Sequence, residues 1–125
     1  MLHLRYFQPH EFKMDGVIVY DKMNDEFLLK LDECRHIAGI PFRSPKSSFR
    51  TIAKNKVVGG TPDSMHLLGR AVDIPVVTGR ERAIIVRAAL SLGLSVGIME
   101  NAVHLDDRES QVLFHYYAKY ELKKL

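Results

Sequence analysis

Ser64-Met65-His66-Leu67-Leu68-Gly69-Arg70-Ala71-Val72-Asp73 carries two metal-binding side chain types, His66 and Asp73, seven positions apart on either side of a glycine. Seven residues would suit one face of a helix, but Gly69 and the β-branched Val72 and Ile74 around Asp73 oppose a helix there. The stretch instead reads as a turn at Leu68-Gly69, followed by a strand over residues 70–76 that passes back beside His66. A further imidazole, His104, lies in Val103-His104-Leu105-Asp106. Two imidazoles and a carboxylate can fill three corners of a zinc tetrahedron and leave the fourth open, which distinguishes catalytic from structural zinc sites. Spacing alone is a weak signal for such a site, because a chain with six histidines contains many triples of this kind.

The rest of the chain supplies a scaffold. Residues 5–20 read as irregular, with aromatics tucked against the core. Asn24 is a good N-cap for a helix whose first turn holds Asp25 and Glu26. Phe27, Leu28, Leu31, Cys34 and Ala38 fall on one face of that helix, and Gly39 and Pro41 end it. Residues 42–49 read as a short extended segment at an edge, because Pro45 cannot serve a central strand. Residues 51–63, with Gly59-Gly60 and Pro62, read as a long loop, a kind of segment that is usually functional. Thr78 and Glu81 form a capping box for a second helix, with Ile84, Ile85, Ala88, Ala89 and Leu92 inward and Gly93 at its end. Residues 94–99 and 102–106 read as a hairpin around Glu100-Asn101. Residues 111–120 fit a final strand or a helix equally well. Helix, strands, helix and hairpin give an α+β fold, a small antiparallel sheet flanked by helices, in one domain over residues 1–125.

Composition excludes several classes. The 125 residues are 46% hydrophobic and 26% charged, ordinary for a globular chain. No apolar run approaches the roughly 18–20 residues of a membrane span, so no membrane partner is expected. The first residues lack the apolar core and cleavage site of a secretory signal, which implies synthesis in the cytoplasm. Cys34 is the single cysteine, so neither a disulfide nor a CxxC metal motif is available and any zinc site must use His and carboxylate. The formal charge of +3 and pI near 9.1 come from dispersed Lys and Arg, with Lys119, Lys123 and Lys124 as a solvated basic tail. No aromatic-basic motif or recognition helix is visible, so no nucleic-acid partner is expected, and a monomer is. His3, His10 and His36 read as surface or packing residues, and so does His115.

Taken together, Ser47-Ser48-Phe49-Arg50-Thr51, Asn55, Val58-Gly59-Gly60, the opening stretch and Val103-His104-Leu105-Asp106 resemble one known family. It is the zinc D-Ala-D-Ala carboxypeptidase and L-alanyl-D-glutamate endopeptidase family of peptidoglycan metallopeptidases, which shares the fold of the hedgehog signalling domain. Every fixed position of its S-x-H-x-x-G-x-A-x-D pattern is matched, and the resemblance spans about residues 6–118, closest to the small phage-type members. It implies that His66, Asp73 and His104 hold Zn2+ and that Arg50 meets a substrate carbonyl or carboxylate, a task suited to a planar, permanently charged fork. It further implies that Ser64 contacts substrate or supports the first ligand, and that the substrate is a peptidoglycan stem peptide. The setting it implies is phage or prophage wall degradation, after holin release or as a virion component. The alternative is a zinc domain of weak or no activity that binds cell wall.

The general base is where this chain departs from the pattern. Many members carry an acid three residues before the last histidine ligand, where this chain has Asn101; others carry a histidine two before it, where this chain has Ala102. Asp106 and Glu100 share strand parity with His104. Asp106 is the preferred member of the site, as base or as a partner orienting a ligand, and Glu100 the second choice.

Overall fold

The computed structural model describes residues 1–116. Two short strands, β1 (Lys13–Met14) and β2 (Val17–Ile18), pair antiparallel across Asp15-Gly16, both at positive φ. The irregular reading of residues 5–20 misses this hairpin, although Asp-Gly is the dipeptide that a tight two-residue turn demands.

The first long helix, α1 (Asp25–Ala38), starts where the Asn24 side chain accepts a hydrogen bond from the Phe27 amide and stops at Gly39, whose φ is 70°. Its inward face is Phe27, Leu28, Leu31 and Cys34, all fully buried, each large apolar side chain contributing about 1.5–3 kcal/mol. Burial pushes the Cys34 thiol up to about 12, which makes it an inert core residue. Asp32 is also buried on α1; it accepts hydrogen bonds from the Arg5 and Tyr6 amides and the Arg5 side chain, tying down the N-terminal segment.

Residues 42–49 run extended, and Ser47 bridges Asp73 in antiparallel register. A helix, α2 (Ile52–Val57), occupies the stretch read from sequence as loop. Thr51 caps it by accepting from the Lys54 amide, and buried Asn55 donates to the Thr61 carbonyl. Gly59, Gly60 and Pro62 are real breakers, but they act only after this helix has formed.

Next come a 3-10 turn (Met65–Leu68), β3 (Ala71–Pro75), α3 (Gly79–Ser91), β4 (Ser95–Ile98), β5 (Ala102–Asp106) and β6 (Leu113–His115). The Thr78–Glu81 capping box opens α3. Strand order is β3-β5-β4-β6: the first three pair antiparallel, and β6 joins the edge parallel to β4. Of the run 111–120, residues 113–115 are thus strand and no described residue is helical; residues 117–120, and the basic tail, lie outside the described residues.

Side chains alternate across a strand, and here the alternation separates core from chemistry. Val72, Ile74, Val96, Val103 and Leu105 join the core cluster with α1 and α3 residues. Asp73, His104 and Gly97 form one row on the opposite face, in direct register across β3, β5 and β4. Among the described residues no helix is long and apolar enough to cross a membrane.

Candidate metal centre

Asp73 and His104 are register partners on β3 and β5, so a rigid antiparallel ladder sets their separation. His66 comes from the 3-10 turn, and three features hold that turn. The Ser64 hydroxyl accepts from the His66 amide, the turn closes at Gly69 with φ 66°, and the Gly69 carbonyl accepts from the Asn24 amide. A side chain at Gly69 would run into the Lys22 carbonyl, so glycine is needed here for space as well as for φ. One ligand atom from each of His66, Asp73 and His104 lies within 4.8 Å of the others, and all three residues are buried.

The hydrogen bonds around the triad decide which nitrogens face inward. His66 donates from Nδ1 to the Ser48 carbonyl at 2.7 Å, which leaves its Nε2 3.3 Å from Asp73 Oδ1. His104 is turned the other way: Nε2 donates to Asp106 Oδ2 at 2.7 Å and Nδ1 stands 3.0 Å from Asp73 Oδ1. Each imidazole is thus anchored by one nitrogen and offers the other to a shared point beside Asp73, the arrangement by which proteins orient histidine ligands. Two imidazole nitrogens and one carboxylate form a donor set that suits zinc, so the residues fit the ion.

Electrostatics follow from this packing. Burial pushes the Asp73 carboxyl up, but the hydrogen bonds to His104 and His66 outweigh it and hold the group well below the usual carboxylate range. Asp106 behaves alike: burial is overcome by Arg108, through contacts at 2.6 and 2.9 Å, and by His104. Burial alone would lower His104, but the carboxylates of Asp106 and Asp73 raise it above its ordinary value. Charge within the centre is therefore matched group by group.

The triad sits in a cleft of about 690 Å³. Arg50 lines it with its side chain only 15% exposed, donating to Asp73 Oδ2 (3.4 Å), Ser47 Oγ (3.0 Å) and Asn55 Oδ1 (3.3 Å). Ser64 and Asp63 line it too. A family profile described as peptidase M15 matches residues 5–106. The chain belongs to the peptidase M15 family. No curated protein gives a match. Membership makes the chain a metallopeptidase-family protein, and the M15 triad of His66, Asp73 and His104 is a group able to hold a metal.

Of the two carboxylates that sequence offers as proton acceptor for this M15 domain, Asp106 is fully buried behind His104, on the Nε2 side, with both oxygens engaged by Arg108 or His104. Glu100 is exposed in the β4–β5 turn and does not line the cleft, and Asn101 is exposed beside it. Sequence reasoning gave no role to Arg108, Phe114, Tyr116, Met99 or Asp63, all of which line the cleft. For Arg108 a signal existed: it follows Asp106 by two positions, within reach of the same carboxylate. His3, His10 and His36 are exposed and apart from the triad, with His36 accepting from or donating to the Tyr6 hydroxyl at 2.7 Å; His115 lies exposed in β6.

Proposed function

We propose that the chain is a zinc-dependent peptidase that hydrolyses an amide bond in peptidoglycan stem peptides, a D,D- or L,D-bond, in wall degradation by a phage or prophage. The observation that carries the reading is the opposed anchoring of the two imidazoles: Nε2 of His66 and Nδ1 of His104 both turn toward Asp73 at the floor of an open cleft beside a fixed guanidinium. The resemblance to small phage-type members supports the setting.

His66, Asp73 and His104 would hold the ion, which supplies Lewis-acid chemistry, acidifying a water and polarising a carbonyl. The remaining work falls to side chains. Arg50, braced by Ser47, Asn55 and Asp73, keeps N–H groups available for a substrate carbonyl or carboxylate. Asp106 accepts from Nε2 of His104 and so fixes the ring with Nδ1 turned toward Asp73, a positioning role. Apart from Asp73, Asp63 is the carboxylate that lines the cleft among the described residues, and we assign it the water proton that Asp106 is too enclosed to accept. Ser64 holds the backbone of His66.

The test joins metal content to product chemistry. Purified protein should carry about one zinc per chain, and mass spectrometry of digested wall should show stem peptides cut at one bond with one new amino group each. Wall binding without new amino groups would replace the peptidase reading with that of a wall-binding zinc domain. A protein that takes up no zinc would end both.

A further inference from the structure

The cleft that Arg50 lines is also walled by aromatic residues, one in β6 and one just after it. Phe114 packs on His104 with ring centroids 5.5 Å apart, and Tyr116 packs on Phe114 at 5.5 Å and on His104 at 6.4 Å. The Tyr116 amide donates to the Ile98 carbonyl at 3.0 Å, and Arg108 lies over the Phe114 ring at 5.1 Å. Room for these rings comes from Gly97, which shares a row with His104 and Asp73. A β-carbon there would meet Phe114 at 2.7 Å and Tyr116 at 3.0 Å.

The ring of Tyr116 is therefore held on several sides, yet its hydroxyl makes no hydrogen bond to a described residue. Tyr116 lines the same cleft as Arg50, Asp73, His104 and Arg108, which places it beside the metal centre. The oxygens of two of the nearby carboxylates are already engaged: Asp73 by His66, His104 and Arg50, and Asp106 by His104 and Arg108. An O–H donor on a ring anchored in the cleft wall, making no hydrogen bond to a described residue, is arranged for an acceptor that arrives with the substrate.

We propose that Tyr116 is a catalytic residue that donates a hydrogen bond to the carbonyl oxygen of the scissile amide, and donates it more strongly as that oxygen becomes an oxyanion, in the cleft that Arg50 also lines. No proton is transferred by the phenol: the hydrogen bond strengthens on attack and relaxes when the carbonyl re-forms and the amine leaves. The assignment rests on the peptidase reading and deepens it.

The experiment compares wild type with Tyr116→Phe, which keeps the ring that packs on Phe114 and His104. Turnover of a synthetic stem peptide should fall about 100-fold in kcat, as for loss of one oxyanion donor, with KM within about twofold. Affinity for a phosphinate analogue of the cleaved bond, read by calorimetry, should fall about tenfold or more, while zinc content and melting temperature stay at wild-type values. Unchanged kcat overturns the assignment, and so does a raised KM at constant kcat. An effect that vanishes when the peptide's terminal carboxylate is amidated also overturns it, because the phenol would then be holding that carboxylate. An active wild type matched by Tyr116→Phe removes this assignment alone, whereas a wild type without turnover removes the peptidase reading and the assignment together.

Discussion

Replacing Asp106 with Asn separates a residue that orients a metal ligand from one that takes a proton. Asp106 Oδ2 accepts from His104 at 2.7 Å and from the Arg108 side chain at 2.6 Å, and Oδ1 accepts from the Arg108 amide and Nε at 3.0 and 2.9 Å. Every neighbour is a donor. An asparagine offers one acceptor oxygen and one NH2, so either His104 or Arg108 must face a donor where it had an acceptor. If Arg108 keeps the oxygen, the ring of His104 loses its anchor and its Nδ1 is no longer aimed. Loss of such an outer partner weakens metal binding about 10–100-fold, or roughly 1.4–2.7 kcal/mol. The Arg108 side chain is 37% exposed and can turn to water, so the ion-pair part of the destabilisation is limited to about 1–2 kcal/mol. Competition with a chromophoric chelator measures the zinc affinity, and a melt of the metal-free protein measures the stability. A variant that binds zinc within twofold of wild type yet loses turnover would refute the orienting role and make Asp106 the base.

Asp63→Asn should keep wild-type zinc affinity and lose about 10²–10⁴-fold in kcat, checked by steady-state kinetics on zinc-loaded protein; wild-type kcat would clear Asp63 of the proton. Gly69→Ala should destabilise the fold by about 2–5 kcal/mol, read by chemical denaturation, because the new side chain combines a left-handed φ with a collision at the Lys22 carbonyl. The metal-free protein should be most stable between about pH 4 and pH 6.5. Asp73 and Asp106 are held below the usual carboxylate range, so the stability they contribute is full above about pH 4 and is lost as pH falls toward their folded values. His104 is raised, so its contribution is full below about pH 6.5 and is lost as pH rises through its folded value. Scanning calorimetry across this range checks both limbs, and zinc should lift the alkaline one.

Sequence carried the local rules well. Asn24, Thr78 with Glu81, and Gly39 mark helix ends through hydrogen bonds that involve only near neighbours, and the structure shows them in those roles. The strand parity of Asp73 and His104 was legible for the same reason, since a period of two needs no knowledge of the partner strand. Residues whose role depends on distant neighbours were not legible. The helix over Ile52–Val57 is only six residues long and depends on Asn55 reaching Thr61, so the glycines beyond it dominated the reading. Strand parity set Asp106 on the face of His104 but not behind its ring, because Arg108 decides that by claiming the carboxylate. The aromatic wall was hidden most completely: it needs β6 to lie parallel beside β4 and Gly97 to be bare, and neither fact is local.

That wall has an evolutionary consequence. The three candidate ligands and Arg50 come from residues 50–104, whereas Phe114 and Tyr116 arrive later, on and just after an edge strand that pairs with β4. The half of the cleft that would grip an ion and the aromatic half that would greet a substrate are therefore consecutive, separable pieces of chain. Arg108 is the hinge between them, tethered to Asp106 on one side and stacked on Phe114 on the other. Exchanging the segment after Arg108 for another of similar length would recut the lock while leaving its bolt in place, so new wall chemistries can be sampled by splicing one short edge strand.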